Sequence, residues 1–504
     1  MLFHDLIINN ESPIYEQIEN HVKRSIQTNM ITPDSKLPST RELSQVLGVS
    51  RNTVLAAYEN LESENIIYTK KGKGTFITKS AFERYSGKDS DANQKMKWNV
   101  DWEAKANMYS IEAEKMDIIK NEIPWSKDLI SFKSISPDGE LFDLEEFKRS
   151  FLYRLSVEGN KILNYGYAKG YKPLIDYLKQ YMLEKGVSGE HKDIIVTNGF
   201  TEGFEMMIEA FTNPGDYVLC ENPTHNTALR IMKLHGVKTI GIPMLEDGLD
   251  IEKLEQCLKK YETRFLYVIP SYHNPTGIVI GEKKRFQIYE MCREYNVPII
   301  EDGFTEELLY GSSHITPIAS LDKEHNGVVY IGSFSKILFP GLRIGWVMGD
   351  NRVISLLESV KRCKNIHTSS IDQGILYEYL QSGILKRQMK RMRKSYKERF
   401  EFAKQCVEQY LDPEFVWGDG GLHLYVGLRE ISSRKLLQAC YERKVIFMAG
   451  DIFSLDDRGE YTLRLGLSRV SLEEIETGIR IMGECLKELS DKADKKATEP
   501  STFL

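Results

Sequence analysis

The sequence predicts a multidomain fold, in which a small helical module with a hairpin precedes a larger α/β domain. The chain of 504 residues is longer than a single core usually organises. Residues 13–79 carry apolar side chains at helical spacing and end in two short β-like runs. After about residue 126, short apolar runs alternate with longer helical patterns, which is typical of βα units around a mostly parallel sheet.

Composition excludes several classes of protein. Hydrophobic residues make up 41% of the chain and charged residues 28%, as in ordinary soluble proteins. The formal net charge of −6 means that any nucleic-acid binding must use a local basic surface. The seven cysteines are scattered singly, which favours reduced, buried thiols and no metal site. Residues 1–13 do not resemble a signal peptide, and no apolar run approaches the roughly 20 residues that cross a bilayer. We therefore expect a cytoplasmic protein without membrane contact.

The first module has recognisable helix boundaries. Ser39 is a natural N-cap for a second helix that Gly48 ends, and Ser50 caps a third helix. Two β-like runs follow at 66–69 and 75–78, joined by a basic, glycine-containing turn. The first helix is marked by its apolar face, formed by Ile14, Ile18, Val22 and Ile26. The order of three helices and a hairpin predicts a winged helix-turn-helix.

A helix-turn-helix presents the start of its second helix to the DNA major groove. In this module Arg51, Asn52 and Thr53 open that helix. Further basic residues suit contacts to the phosphate backbone, namely Arg41, Lys70, Lys71 and Lys73. The alternative is a small protein-interaction domain whose charges are merely solvated.

The module resembles the GntR-type winged helix along its whole length. The resemblance rests on Leu-Pro-Ser-x-Arg-x-Leu at 37–43, Leu-Gly-Val-Ser-Arg-x-Thr-Val at 47–54 and Gly-x-Gly-Thr-Phe at 72–76. It implies a DNA-binding domain over residues 1–79. The DNA contacts it implies are Arg41, Arg51 and Thr53, with Gly74 where the wing approaches the DNA backbone. Asn29 stands where many relatives have glycine, a change that a left-handed conformation tolerates.

Three residues that suit pyridoxal 5'-phosphate (PLP) chemistry follow three consecutive predicted strands: Asn274, Asp302 and Lys336. Open α/β sheets place ligands at the carboxyl ends of their strands. PLP requires a lysine for the Schiff base, a carboxylate for the pyridine nitrogen and donors for the phosphate. Taken singly, Lys336 would be a surface charge, Asp302 a helix cap and Asn274 part of a turn. Together with Ser-Phe-Ser-Lys at 333–336 and Gly-Leu-Arg-Ile-Gly at 341–345, they predict a PLP site.

Residues 130–485 resemble the class I/II aminotransferases of fold type I. The resemblance implies that Lys336 is the catalytic, cofactor-bearing lysine, that Asp302 pairs with the pyridine nitrogen, and that Asn274 reaches the phenolic oxygen. The residues it places on the phosphate are Arg343, Ser333, Ser335, Gly199, Phe200 and Thr201. Arg464 would grip a substrate carboxylate, and Tyr165 would reach the phosphate of a partner subunit.

Two positions depart from the pattern of that family. His225 stands where relatives usually stack an aromatic ring on the cofactor. Phe304 stands where they carry a tyrosine that donates to the phenolic oxygen, and only Thr305 could replace it, weakly. Both changes leave PLP binding possible and predict poor transamination.

The order of the two modules resembles the MocR-type transcription regulators. We therefore expect a winged helix at 1–79, a linker at 80–125, a PLP domain at 126–490 with a smaller α+β subdomain from about 370, and a disordered tail at 491–504. The resemblance implies a homodimer in which a small amine or amino acid forms an aldimine with PLP and alters binding to a double-stranded DNA operator. One alternative is an active aminotransferase with an accessory DNA-binding domain. Another is a DNA-binding protein whose second domain has lost PLP and only dimerises.

Overall fold

The computed structural model describes residues 3, 6, 8–9, 12–28, 30–86, 100–117, 126, 128–308, 310, 315–323 and 325–498. The chain divides into two compact units, Met1–Ala106 and Asn107–Leu504. Asn29 and the polar stretch at 87–99 of the predicted linker lie outside the described residues. None of the described helices is long and apolar enough to cross a membrane.

The first unit contains three helices, an antiparallel hairpin and a fourth helix. Its elements are α1 (Ile14–Gln27), α2 (Thr40–Leu47), α3 (Arg51–Ser63), β1 (Ile67–Lys70), β2 (Gly74–Ile77) and α4 (Lys79–Ser86). Ile18 and Val22 of α1 pack with Val54 and Leu61 of α3 in a core that excludes solvent. The predicted winged helix-turn-helix is confirmed.

The second unit is built on a mixed sheet. Its strands are β4 (Lys192–Thr197), β5 (Tyr217–Asn222), β6 (Lys238–Leu245), β7 (Gly248–Leu249), β8 (Thr263–Val268), β9 (Ile299–Asp302), β10 (Val328–Ser333) and β11 (Gly345–Asp350). They lie in the order β4-β11-β10-β9-β8-β5-β6-β7. Strand β11 is antiparallel to both of its neighbours, and β7 is antiparallel to β6. The predicted βα organisation is confirmed, with these two strands reversed.

Helices cover both faces of this sheet. One face carries α8 (Gly199–Phe211), α9 (Asn226–Leu234) and α12 (Asn351–Lys364). The other face carries α7 (Lys172–Glu184), α10 (Ile251–Lys260), α11 (Glu282–Glu294) and α13 (Ser370–Gln381). Both faces of the sheet are therefore buried, which explains why its strands read as continuous apolar runs.

A smaller α+β subdomain follows the large sheet. Its elements are α14 (Ile384–Tyr410), β12 (Phe415–Trp417), β13 (His423–Gly427), α15 (Ser433–Glu442), β14 (Val445–Ile446), β15 (Met448–Ala449), β16 (Thr462–Gly466) and α16 (Leu472–Thr498). Strand β3 (Ile130–Ser131), from the start of the unit, pairs with β14. The predicted boundary near 370 is too early, because α13 and Met389 of α14 pack in the core of the large sheet, whereas Phe400 packs in the small one.

Helices also occupy both ends of the predicted linker. Ala81 of α4 is fully buried in the core of the first unit. Helix α5 (Met108–Lys115) packs on α9 in the second unit, ahead of α6 (Leu144–Glu158). The ordered elements therefore extend into residues 80–125 at both ends, because Ala81 joins the core of the first unit and α5 contacts α9 on the surface of the second. Helix α16 continues to Thr498, into the predicted tail, and residues 499–504 lie outside the described part of the chain.

Candidate functional site

The turn between α2 and α3 has the geometry of a helix-turn-helix. Ser39 forms a reciprocal capping box with Glu42 at the start of α2. Gly48 ends α2 in the left-handed conformation, with φ of +66°. At the start of α3, Ser50 Oγ accepts from the Thr53 amide over 3.1 Å and lies 2.7 Å from Thr53 Oγ1. Both the backbone amide and the hydroxyl of Thr53 are thus already used at the cap, which leaves its methyl group as the candidate for contact with DNA.

The other predicted DNA-contacting side chains are exposed. Arg41, Arg51, Asn52 and Lys73 all project from the surface of the first unit. Gly74 has a φ of +116°, and a Cβ atom there would lie 2.7 Å from Lys36 Cε. The Lys36 side chain can move away, but the positive φ favours glycine at this position independently of any approach to DNA.

The predicted cofactor residues converge at one edge of the large sheet. Strand β9 ends in Asp302, which lies opposite Ile331 of β10 in parallel register. Lys336 follows β10, and Asn274 follows β8, the parallel neighbour of β9 on its other side. Because these three strands run in the same direction, their carboxyl ends bring the three side chains to the same edge.

Asp302 is a buried carboxyl group with a single phenolic donor. Tyr267 donates from its hydroxyl to Asp302 Oδ2 over 2.8 Å. Burial raises the pKa of Asp302 to about 8, with Tyr267 and Lys336 opposing the increase and Glu221 adding to it. A carboxylate in such surroundings gains most from an adjacent cation, such as a protonated pyridine nitrogen.

The Lys336 amine is suited to act as a nucleophile. Removal from water lowers the pKa of Lys336 to about 8, with Arg464 and Arg343 adding to the decrease and Asp302 opposing it. Roughly a tenth of the side chain is therefore the neutral amine at pH 7, far more than for an ordinary lysine, and the neutral amine is the form that makes a Schiff base. Its Nζ atom lies 5.8 Å from the centroid of the Phe304 ring.

Asn274 has one satisfied end and one unsatisfied end. Its Oδ1 atom accepts from Arg464 Nη1 over 2.7 Å. Its Nδ2 atom is buried and has no hydrogen-bond partner among the described residues. A buried donor without a partner is costly, and the phenolic oxygen of PLP is an acceptor of the kind that it lacks.

The predicted phosphate end is formed where α8 begins. Gly199 is the first residue of α8, with φ of +77°, and a Cβ atom there would lie 2.5 Å from Arg343 Nη2. Arg343 donates from Nη2 to the Asn198 carbonyl over 3.1 Å and from Nη1 to Ser335 Oγ over 3.4 Å. Ser333 Oγ lies 3.0 Å from Ser335 Oγ. A guanidinium, two hydroxyls and a helix N-terminus together suit a phosphate, so this set of residues fits PLP.

Phe200, Thr201 and His225 lie near the same helix start. The Phe200 and His225 ring centroids are 5.3 Å apart, and Thr201 is exposed. Burial, together with the charges of Lys336, Arg464 and Arg230, lowers the pKa of His225 to about 3. The imidazole is therefore neutral at physiological pH.

Arg464 extends from β16 of the small subdomain to the cofactor edge. It is buried, and Nη2 donates to the Lys133 carbonyl over 3.0 Å while Nη1 binds Asn274. Burial lowers the pKa of Arg464 to about 9, which leaves it cationic at pH 7. Its Nε atom is buried without a partner in the described part of the chain. The guanidinium thus retains donor capacity for a carboxylate.

Tyr165 lies away from the other predicted site residues of its own chain. Its side chain is 84% exposed and makes an edge contact with the His367 ring at 6.0 Å. Its predicted role, in the site of a partner subunit, remains a prediction.

Several residues of this edge escaped the sequence analysis. Tyr267 lies within the apolar strand β8, where the sequence alone indicates only a core residue. His423 of β13 is fully buried and donates from Nε2 to the His273 carbonyl over 3.1 Å, and its ring lies 6.3 Å from that of Phe304. Lys361 is also buried and donates to the Val196 carbonyl, beside the phosphate end. No local motif marks these positions, and only the pairing of distant strands brings them to the site.

Comparisons with known proteins agree with this geometry. Residues 128–481 match the family "Aminotransferase class I and II", and residues 14–77 match "Bacterial regulatory proteins, gntR family". The uncharacterized HTH-type transcriptional regulator YdfD of Bacillus subtilis is 28% identical over 95% of this chain and 98% of its own length. Aromatic-amino-acid aminotransferase 1 of Thermococcus litoralis is 30% identical over 72% of this chain and 89% of its own length.

A solved structure supports the same assignment. The α-aminoadipate aminotransferase LysN of Thermus thermophilus, complexed with N-(5'-phosphopyridoxyl)-L-leucine, is 28% identical. It aligns with a TM-score of 0.70 over 78% of this chain and 100% of its own. The predicted fusion of a GntR-type domain with an aminotransferase-like domain is thereby confirmed, and the PLP dependence of such aminotransferases supports the predicted cofactor. The chain belongs to the aminotransferase class I and II family and carries a GntR-type DNA-binding domain at its N-terminus, the organisation of the MocR-type regulators.

Proposed function

We propose that the protein is a transcription regulator whose large domain captures a small amine through PLP and thereby alters the DNA affinity of residues 14–77. The observation that carries the proposal is the presence, in one chain, of exposed polar side chains at the start of α3 and of Lys336, Asp302 and Asn274 at one edge of the large sheet. The relatives that match nearly the whole chain bear the names of transcriptional regulators.

PLP, when bound, supplies reversible covalent capture of primary amines. Lys336 would hold the cofactor and yield it to an incoming amine, Asp302 would keep the pyridine nitrogen protonated, and Asn274 would donate to the phenolic oxygen. Arg343 and the start of α8 would hold the phosphate. Arg464 would bind a carboxylate of the amine, which favours amino acids over simple amines.

Sensing rather than turnover is favoured by what surrounds Lys336. Phe304 places a hydrocarbon ring near the amine where a phenol would donate, and the Thr305 hydroxyl is buried without a partner among the described residues. The neutral His225 offers a smaller stacking surface than tyrosine or phenylalanine. Moving a proton from the α-carbon of a substrate needs well-tuned electronics and ring orientation, whereas binding the amine does not. A long-lived complex suits a sensor.

Dimerisation through the large domain would present two recognition helices to two half-sites. Large apolar side chains are exposed on and after α6: Phe151, Leu152, Tyr153, Leu155, Val157, Leu163, Tyr165 and Tyr167. So many exposed apolar side chains within one short stretch of chain support a subunit interface here. This contact would also bring Tyr165 to the site of a partner.

The test is a spectral screen of amino acids against the purified holoprotein, followed by borohydride reduction and peptide mapping. The proposal expects a visible absorbance band, fixed by borohydride onto the peptide that contains Lys336, and a stable change with one amino acid. Rapid production of a keto acid would instead support the aminotransferase alternative. The absence of any bound PLP would support a domain that only dimerises.

A further inference from the structure

A cleft separate from the predicted cofactor site lies beside α9, entirely within the larger unit. It has a volume of about 560 Å³. Its walls come from α9, from β6, from the end of α5 and the two residues after it (Lys115–Asp117), and from Arg434 and residues 451–455 of the small subdomain. None of the residues assigned above to PLP, to its substrate or to DNA lines this cleft.

The charges along the cleft are predominantly positive. Four cationic side chains line it, Lys115, Arg230, Lys233 and Arg434, against two acidic ones, Asp117 and Asp451. Most of the cations have a carboxylate partner. Arg434 binds Asp451 with its Nε atom 3.0 Å from both carboxylate oxygens, and Glu112 lies 2.9 Å from Lys115 and 3.5 Å from Lys233.

Arg230 is the exception. Its side chain is half-buried, and Nη1 donates to the Met116 carbonyl over 3.2 Å. Within the described part of the chain, no carboxylate lies within ion-pair distance of its guanidinium. A half-buried guanidinium with one backbone partner retains several donors in a planar fork, the arrangement that binds carboxylate or phosphate groups in pairs.

The remaining wall of the cleft is apolar. Leu229, Val237, Ile452 and Leu455 line it, and Leu455 is 42% exposed. A cleft of this size that combines an apolar wall with a few polar groups is typical of small-molecule sites. The chemistry that it matches is a small organic anion with an apolar body.

We propose that this cleft is a second ligand site, in which Arg230 binds the carboxylate or phosphate group of a small organic anion. An anion that binds in two-point fashion to Nη1 and Nη2 would compete with the Met116 carbonyl for Nη1. Met116 directly follows α5, so the contact between α5 and α9 would loosen when the anion binds. The binding itself does not depend on the proposed regulatory function.

The position of α9 gives this site a route to the cofactor edge. His225 is the residue immediately before α9, and Arg230 lies one turn further along the same helix. Neutralising the Arg230 charge with an anion would remove one of the cations that act on the His225 ring. An anion in the cleft would therefore act on both the linker segment and the ring expected to stack on PLP.

The test uses the full-length holoprotein with benzoate and phenyl phosphate as anionic probes and benzamide as a neutral control. Calorimetry should detect saturable binding of at least one anion and much weaker binding of benzamide. Arg230→Gln should lower the affinity for the anion at least tenfold, whereas Arg230→Lys should retain part of that affinity. The two anions distinguish a carboxylate site from a phosphate site.

Arg464→Gln is the matched control, because it removes the other guanidinium expected to bind a carboxylate. The proposal expects this variant to keep anion binding, and expects faster hydrogen exchange of Met108–Lys115 when the anion binds to the wild type. Equal affinity in the wild type and Arg230→Gln would overturn the proposal. Loss of binding in Arg464→Gln alone would place the anion at the cofactor edge, and absence of any saturable binding would also overturn it. None of these outcomes decides whether PLP is bound or DNA is recognised, so the proposed function is tested separately.

Discussion

Arg464 donates from Nη1 to Asn274 Oδ1 over 2.7 Å, so the residue expected to bind a carboxylate is joined to the residue expected to contact PLP. Arg464 belongs to the small subdomain, whereas Asn274 follows a strand of the large sheet. The second strand of the small sheet makes a similar contact, because His423 of β13 donates to the carbonyl of His273, the neighbour of Asn274. The small subdomain thus holds the turn that would donate to the cofactor.

Arg464→Ala should weaken the binding of an amino-acid effector far more than the binding of the corresponding amine without the carboxylate. Loss of charge-assisted hydrogen bonds on this scale corresponds to roughly 10–100-fold in affinity. Spectral titration of both ligands measures the ratio. Because Asn274 Oδ1 also loses its donor, a smaller loss of PLP affinity should accompany the change, and Asn274→Ala is the control for that effect. An unchanged response to the amino acid would place the effector elsewhere.

Phe304→Tyr should increase half-transamination. The Phe304 ring lies near Lys336 Nζ, and a hydroxyl on this ring would restore a phenol at the position where relatives donate to the cofactor. Single-turnover measurement of keto acid and pyridoxamine phosphate checks this prediction. Phe304→Leu, which adds no donor, should leave the rate low. If both variants behave alike, the missing phenol does not limit the reaction.

Acid should destabilise the holoprotein through its buried imidazoles. Burial lowers the pKa of His423 to about 3, with Arg464 adding to the decrease. A base whose pKa is depressed in the folded state stabilises the fold above its unfolded pKa, near 6.5, and loses that contribution as the pH falls toward 3. The free energy of unfolding should therefore fall by about 2 kcal/mol from pH 7 to pH 5 because of His423.

His423→Gln should reduce this acid sensitivity by the same amount, because glutamine takes up no proton and can still donate to the His273 carbonyl. Denaturant unfolding at pH 7 and pH 5 measures the difference. His191→Gln is the matched control, since the side chain of His191 is 85% exposed. A wild-type pH dependence in His423→Gln would contradict a buried neutral imidazole.

Arg51→Ala should cost roughly 1–3 kcal/mol of operator binding if the side chain contacts a base. Arg51 is exposed at the start of α3, and Nε approaches only Thr40 Oγ1, at 3.4 Å, so its removal should leave the domain folded. Lys73→Ala in the wing should instead weaken binding to all DNA sequences alike and reduce the dependence of the affinity on salt concentration. Binding to an operator selected from random duplexes measures both effects. Unchanged affinity in Arg51→Ala would remove this residue from the interface.

Local signals were sufficient for much of the fold and for placing the predicted cofactor residues at one edge of the large sheet. Ser39, Gly48 and Ser50 determine the helix boundaries of the first unit through capping, and such interactions are local in sequence. Asn274 and Lys336 were predictable because each follows an apolar strand in a characteristic motif. Non-local contacts were not accessible in this way: His423 has no motif, and the pairing of β13 with β16 sets it opposite Gly466, two residues from Arg464.

Subdomain boundaries were less predictable for the same reason. The helical pattern of α14 runs without interruption, yet Met389 packs in the large core and Phe400 in the small one. The spacing of apolar residues along a helix indicates which face is buried, but it does not indicate in which of two cores that face packs. The attachment of α5 to α9 depends likewise on contacts between distant residues, such as the edge contact of Tyr109 with His235 at 6.0 Å.

The central claim is that chemistry at Lys336 controls DNA binding by the first unit. The most direct test measures operator affinity for the wild type and for Lys336→Ala, each with and without the amino acid that changes the absorbance of the wild type. Lys336→Ala should remain folded, since its half-buried side chain contributes little to the core. The account predicts that the amino acid changes operator affinity in the wild type and has no effect in Lys336→Ala. An equal change in both proteins would contradict it.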